Sequence, residues 1–160
     1  MRMLPRNADY RSVLPSALHS EVKQRTFFPI NGNAFTDAGN NIIRIDISGE
    51  DFLDPKSSFL RLRFTNNSDL LIGIGGTADF CIPIVNGLLG LGQDKLVPLA
   101  LLGSSPLTIE IELCPLLDVG TFAAAPAAGL GYQIDNVRYI ASMVQSPPAI
   151  HQQIRLVQQA

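Results

Sequence analysis

Paired carboxylates are the first residues in this sequence whose type and spacing suit catalysis. Glu110 and Glu112 lie two positions apart, so in an extended strand both side chains leave the same face. Glycosidases use two such carboxylates on either side of the scissile bond. The alternative is a solvated strand edge, which is the commoner use of this spacing and the one that we expect.

A second acidic group, Glu50, Asp51 and Asp54, precedes Pro55. Calcium takes carboxylate oxygens, but the regularly spaced acidic loop of a calcium site is missing from the sequence. Aspartate before proline is typical of caps and turns. We therefore expect a turn at Asp54-Pro55.

Nucleophilic and metal-binding side chains are few. The two histidines, His19 and His151, lie near opposite ends of the sequence, and no serine stands in a Gly-x-Ser-x-Gly motif. Cys81 and Cys114 lie in or beside apolar strand patterns without neighbouring cations, which predicts small buried hydrophobic residues rather than reactive thiolates. We therefore predict that the protein is not an enzyme and that it has no catalytic, cofactor-binding or metal-binding residues.

Two glycine-rich segments invite a nucleotide-binding interpretation. Residues 73–78 resemble a truncated dinucleotide loop, and residues 87–92 a phosphate loop without its Gly-Lys-Ser/Thr ending. A phosphate cradle needs a helix N-terminus directed at the anion, and no helical pattern follows residues 73–78. We expect both segments to be turns.

Length and composition indicate one domain with extensive buried surface. The chain has 160 residues, of which 46% are hydrophobic and 16% charged, with a net charge of −2; an average protein has about 25% charged residues. Residues 1–26 hold five basic and two acidic groups, whereas residues 27–160 hold seven and twelve. The basic segment is either a poorly ordered N-terminus or an arm that contacts phosphate or an acidic partner surface.

Alternation of apolar and polar residues predicts the elements that must position these side chains. Period two is clear in residues 41–48, 59–64 and 107–113, which predicts three half-buried strands. Weaker strand patterns cover residues 27–30, 70–74, 80–85, 132–140 and 153–157, and the fourth changes phase near Asp135-Asn136, as a β-bulge would. The sequence is compatible with short helices only at residues 16–24 and 85–91, and glycines weaken the second of these patterns.

The predicted organisation is an N-terminal arm, residues 1–26, followed by one antiparallel all-β domain, residues 27–160. No segment has the roughly 18 consecutive apolar residues of a membrane span. The N-terminus has no secretory-signal pattern, so we expect a protein that stays inside a cell or in a particle assembled there.

Several segments are more distinctive than the strand patterns of a generic β-domain. The segment FLDPKSSFLRL at residues 52–62 is similar to the entry of a barrel strand in double-jelly-roll major capsid proteins of DNA viruses, the polinton-like, adintovirus-like and related groups. Similarity to their C-terminal barrel continues, in the same order, through residues 82–90, 94–99, 107–113 and 132–137. The two similar parts join around residues 66–78.

The resemblance implies a structural protein with a jelly-roll sandwich or barrel. It implies assembly with copies of itself, as homotrimeric capsomers, and with neighbouring capsid proteins into the icosahedral shell of a virion. The arm would then run along the inner shell or contact nucleic acid. Because such proteins usually carry two jelly rolls and are much longer, this sequence is either a compact single barrel or parts of two. Alternatives are a minor or vertex capsid protein with one jelly roll and a β-sandwich glycan-binding module.

Overall fold

The computed structural model describes residues 21–67, 76–84, 95–103, 105–119, 131–145 and 156. Nearly all regular structure in these ranges is β-strand. The exceptions are a 3-10 helix, Leu99–Leu102, a four-residue α-helix, α1 (Leu116–Val119), and the isolated described residue Leu156, which is helical. The strands in chain order are β1 (Val22–Phe27), β2 (Ala34–Thr36), β3 (Ile42–Ile47), β4 (Phe52–Asn66), β5 (Thr77–Ile82), β6 (Val97–Pro98), β7 (Leu107–Glu112) and β8 (Tyr132–Val144).

All pairings between these strands are antiparallel. The larger sheet has the order β1-β8-β4-β5, with β2 added beside one end of β8 and β6 beside one end of β4. The smaller sheet contains β3 and β7. The expected all-β class is thereby confirmed, and the three clear alternating segments are strands β3, β7 and part of β4.

One hydrophobic cluster joins the two sheets. Ile43, Ile45 and Ile47 of β3 are fully buried, because their shared face turns inward while Arg44 and Asp46 face the other way. The same cluster contains apolar residues from the larger sheet: Phe27, Leu53, Leu60, Leu62, Val137, Tyr139, Ala141 and Met143. Burial of these faces against each other is the principal stabilising contribution to the fold.

The predicted bulge in β8 is confirmed. Arg61 of β4 lies opposite Arg138 of β8, and Arg63 lies opposite Asp135. Between these two pairs β8 therefore contains one residue more than β4, which defines a β-bulge. Asn136 has a φ of 52°, the left-handed conformation that asparagine tolerates better than most residues. Before the bulge Ile134 faces the core, and after it Val137 and Tyr139 do.

Two local predictions are wrong. The helix expected over residues 16–24 is a strand from Val22 onward, because β1 pairs with β8 along its whole length. Sheet pairing thus begins inside the segment predicted as an arm. The turn expected at Asp54-Pro55 is instead an irregularity within β4, where the register against β8 shifts between Asp54 and Phe59.

Of the weaker strand predictions, two correspond to observed strands with shifted ends. The pattern at residues 80–85 corresponds to β5, which begins earlier, and that at residues 132–140 to β8, which extends further. At residues 27–30 only Phe27 belongs to a strand, followed by an isolated bridge from Pro29 to Ile45. The strand at residues 70–74 and the helix at 85–91 lie outside the described residues, as do residues 68–75 of the join. Of the strand predicted at residues 153–157 only Leu156 is described, and it is helical, so the prediction is wrong at that residue.

Candidate interaction surface

The acidic residues considered for catalysis lie on a solvated strand face. Glu110 of β7 accepts a hydrogen bond from Arg44 Nε of β3, with 2.6 Å between the two atoms. Both side chains are about half exposed, and Glu112 is exposed as well. The charge of Glu110 is therefore matched by Arg44 across the strand pair, an arrangement typical of an exposed sheet surface.

Asp54 stabilises the irregularity in β4. Its carboxylate accepts a hydrogen bond from the backbone N–H of Lys56 at 3.1 Å, and its carbonyl accepts one from the Ser58 hydroxyl at 2.6 Å. Ser58 Oγ in turn accepts the backbone N–H of Ser142 in β8 at 2.9 Å. This network replaces ladder bonds that the register shift removes. Within the described ranges, no group of three His, Cys, Asp or Glu side chains is placed to hold a metal ion.

The expectation that the cysteines are buried is wrong. Cys81 and Cys114 are both free and exposed. Cys81 belongs to β5 at the edge of the larger sheet, where five of six residues are exposed, and Cys114 follows the end of β7. The apolar residues that flank Cys81 predicted a buried strand, but such a pattern does not distinguish an edge strand from a central one. His19, His151, residues 73–75 and residues 87–92 lie outside the described residues. In the first glycine-rich segment, Gly76 precedes β5, and Thr77 and Ala78 belong to this strand rather than to a turn.

A cluster of charged side chains lies on β4, β5 and β8, on the face of the sheet that turns away from the core. Arg63 Nε donates to Asp79 Oδ1 at 2.9 Å and Arg63 Nη2 to Asp79 Oδ2 at 3.3 Å. Arg61 adds a longer contact of 3.9 Å to the same carboxylate. The hydrogen bond from Arg63 lowers the pKa of Asp79, and the charges of Arg61 and Arg138 lower it further.

Arg138 of β8 contributes a third positive charge near Asp79. It lies directly opposite Arg61 in the β4–β8 register, and like charges in that position repel. Its Nε atom is buried and has no hydrogen-bond partner among the described residues, and the same is true of Asp135 Oδ1. Buried polar atoms without partners are uncommon in proteins and call for an explanation such as a bound ligand or water.

A pocket of about 280 Å³ adjoins Arg138. It is lined by Phe28, Asn33, Asn136, Val137 and Arg138. Its position follows from the strand pairing: β1 pairs with β8 from Tyr139 onward and β2 pairs with β8 up to Asp135. Residues 136–138 lie between these two partners, and the bulge residues Asn136 and Val137 fall within this interval, so the pocket occupies a gap in the ladder along this edge of β8.

Exposed apolar side chains mark a different region, the edge strand β5. Phe80 and Ile82 are opposite Leu62 and Leu60 in register and therefore lie on the core side of the sheet. Both remain 43% exposed, because no described residue covers that end of the sheet. Phe80 contacts Phe64 edge-on, with 6.5 Å between the ring centroids.

Comparisons with known proteins do not assign the chain to a family. No protein-family model matches it, and no curated protein and no solved structure matches it significantly. In the described ranges, none of the helices has the length and apolarity needed to cross a bilayer.

Sequence reasoning missed the pocket residues. The phase change at Asp135-Asn136 was a visible signal for the bulge, and Asn31-Gly32 for a turn. Only the pairing of β1 and β2 with the same edge of β8 brings residues 28–33 beside residues 136–138. That proximity depends on long-range register, which alternation within one segment does not encode.

Proposed function

We propose that this chain is a jelly-roll subunit of a viral capsid that assembles with copies of itself into the shell of a virion. The resemblance of residues 52–62 and of the four later segments to double-jelly-roll capsid proteins supports this function. Trimeric capsomers and an icosahedral shell are what that resemblance implies. Assembly inside the host cell belongs to the same proposal.

The observation that carries the proposal is the nesting of the strand pairs. A jelly roll is an antiparallel ribbon rolled into a barrel, in which the first strand pairs with the last, the second with the next to last, and so on inward. Four pairs are nested in this way: β1 with β8, β3 with β7, the start of β4 with β6, and the end of β4 with β5. The short strand β2 lies outside this nesting, because it pairs with β8.

The position of β8 provides further support. Rolling such a ribbon brings its last strand between the first strand and the third long one. In the larger sheet β8 lies between β1 and β4, and it pairs with both. The two pairs β1–β8 and β3–β7 fall in different sheets around a common core, as opposite walls of a barrel require. Because the nested pairs form within this one chain, they favour a single jelly-roll barrel over a chain composed of parts of two jelly rolls.

Exposed apolar surface supports assembly with other copies. Phe80 and Ile82 on β5 and Val22 on β1 are large hydrophobic residues with 43%, 43% and 62% of their surface exposed. β1 and β5 are the two ends of the main strand order, and sheet edges are natural pairing sites for another chain. Burial of such residues between copies would stabilise a shell.

The alternative within this class is a minor or vertex capsid protein with one jelly roll. The same nested pairs support it, because all of them form within one chain. The two roles differ in stoichiometry: a major protein forms most of the shell, whereas a vertex protein occupies few positions. Quantitative mass spectrometry of purified particles, with copies of this chain counted per particle, separates them.

Self-assembly of the full chain tests the proposal. The purified protein is concentrated stepwise and followed by light scattering and negative-stain electron microscopy. We expect capsomers, or closed shells at high concentration. A Phe80→Glu, Ile82→Glu double variant should remain smaller, with Arg44→Glu on the exposed face of β3 as the matched charge control. A monomer under all conditions would contradict the proposed function.

Deletion of residues 1–20 tests the proposed tether separately. Because β1 begins at Val22, this truncation leaves the described sheet intact. We expect unchanged strand content by circular dichroism but weaker association between capsomers. Normal shell formation by the truncated chain would exclude a role for these residues in tethering.

A further inference from the structure

We propose that the pocket beside the β8 bulge binds an acidic monosaccharide unit of a glycan. The proposal is independent of shell assembly, since it concerns a pocket bounded by residues of one chain. It rests on five lining residues, Phe28, Asn33, Asn136, Val137 and Arg138, and on their chemistry.

The shape and position of the pocket suit a small polar ligand. Its volume of about 280 Å³ is just below the range for drug-sized ligands, about 300–1,000 Å³, so a single sugar ring is a suitable occupant. Along its floor, residues 136–138 lie between the ends of the β1 and β2 pairings with β8. Asn136 and Val137 are therefore outside the described pairings of β8 with β1, β2 and β4, whereas Arg138 pairs with Arg61 of β4.

The side chains supply the contacts that a sugar requires. Phe28 is an aromatic residue with 63% of its surface exposed, and an exposed aromatic ring offers an apolar surface to the C–H face of a pyranose. Asn33 and Asn136 are both exposed, and an amide side chain donates and accepts hydrogen bonds at once, as adjacent hydroxyl groups need. A purely apolar ligand would leave these amides unpaired.

Arg138 indicates that the sugar is acidic. Its Cα lies opposite that of Arg61 in the β4–β8 register, and its Nε is buried without a hydrogen-bond partner among the described residues. The carboxylate of Asp79 accepts two hydrogen bonds from Arg63, so its negative charge is already paired with Arg63 and compensates Arg138 less. A carboxylate on the ligand would relieve the repulsion between the two arginines and give Arg138 a charge-assisted partner.

Saturation-transfer difference NMR on the full chain tests this inference with three probes at constant ionic strength. The probes are sialyllactose, which carries a carboxylate, lactose, which does not, and inorganic phosphate. We expect transfer to sialyllactose, at least tenfold weaker transfer to lactose, and no displacement of sialyllactose by equimolar phosphate. Equal signals for both sugars would overturn the acidic class, and binding of phosphate alone would reduce the pocket to a general anion site.

Variants locate the binding. Phe28→Ala and Arg138→Gln should each lower the affinity for sialyllactose at least tenfold, whereas Arg138→Lys should retain part of it. Phe80→Ala and Arg44→Gln, exposed residues of the same types elsewhere, are the controls and should bind normally. If Arg138→Gln does not fold, Phe28→Ala and Asn33→Ala decide the question, because both residues are exposed in loops. Undiminished binding by the pocket variants would exclude this site.

Discussion

Strands β3 and β5 are both six residues long and both carry alternating apolar side chains, but they differ sharply in burial. Ile43, Ile45 and Ile47 of β3 have no exposed surface, whereas Phe80 and Ile82 of β5 keep 43%. β3 faces the larger sheet across the core, while β5 ends that sheet. Alternation therefore specifies which face of a strand is apolar, and the rest of the fold decides whether that face is covered.

The largest predicted effect separates these two strands directly. Ile45→Ala removes a fully buried side chain and should lower the free energy of unfolding by about 2–5 kcal/mol. Ile82→Ala in the isolated chain should cost less than half as much, because its side chain already contacts water. Urea denaturation of both variants measures the difference. Equal losses would mean that β5 is as well covered as β3.

The bulge in β8 predicts the next effect. Asn136 has a φ of 52°, so Asn136→Val places a β-branched residue in the left-handed region at a cost of about 1–2 kcal/mol. Asn136→Gly, which adopts that conformation freely, should leave stability nearly unchanged. Thermal unfolding followed by circular dichroism compares the two. A stable valine variant would show that the bulge shifts along β8 without penalty, and that the core face of this strand is less fixed than that of β3.

The buried part of the sheet should respond to alkaline pH. Burial is the main cause that raises the pKa of Tyr139, and it also raises the pKa of Tyr132. Because the folded state disfavours the phenolate, this contribution is fully present below the unfolded pKa of about 10 and is lost as pH rises through the folded value. Urea unfolding between pH 8 and 11 should show falling stability, and Tyr139→Phe should reduce the slope. An unchanged slope would contradict burial of this hydroxyl.

The β5 region should respond to acid, and by the smallest amount. The pKa of Asp79 is lowered chiefly by its hydrogen bond from Arg63, so the stabilisation is present above the unfolded pKa and is lost as pH falls through the folded value. The pair is exposed, and we expect Asp79→Asn to produce a small, salt-sensitive loss near neutral pH. Chemical denaturation at low and high salt measures it. A loss as large as that of Ile45→Ala would show that β5 is held more tightly than its exposure indicates.

Much of the fold was predictable from the sequence because local alternation reports strands directly. The β3 and β7 patterns, the central part of β4 and the phase change at Asp135-Asn136 all reappear in the structure. Local signals failed where long-range pairing decides the outcome. Val22–Phe27 resembles a helix end until β8 pairs with it, and Asp54-Pro55 resembles a turn until the bonds to Lys56 and Ser58 hold it within β4.

The candidate pocket was less predictable than the fold. Phe28 and Arg138 are 110 positions apart in the sequence and carry no shared motif. Their proximity depends on where β1 stops and β2 starts along β8, which is a consequence of register. The exposure of Cys81 was missed for a related reason, since the edge position of β5 is a property of the sheet order.

The mass of the full chain in solution tests the central claim most directly. Analytical ultracentrifugation over a hundredfold range of concentration distinguishes an assembling shell subunit from a solitary β-sandwich. The account predicts species that grow to a defined multiple of 17.3 kDa, with the trimer as the first stable assembly. A single species of 17.3 kDa at every concentration would contradict it.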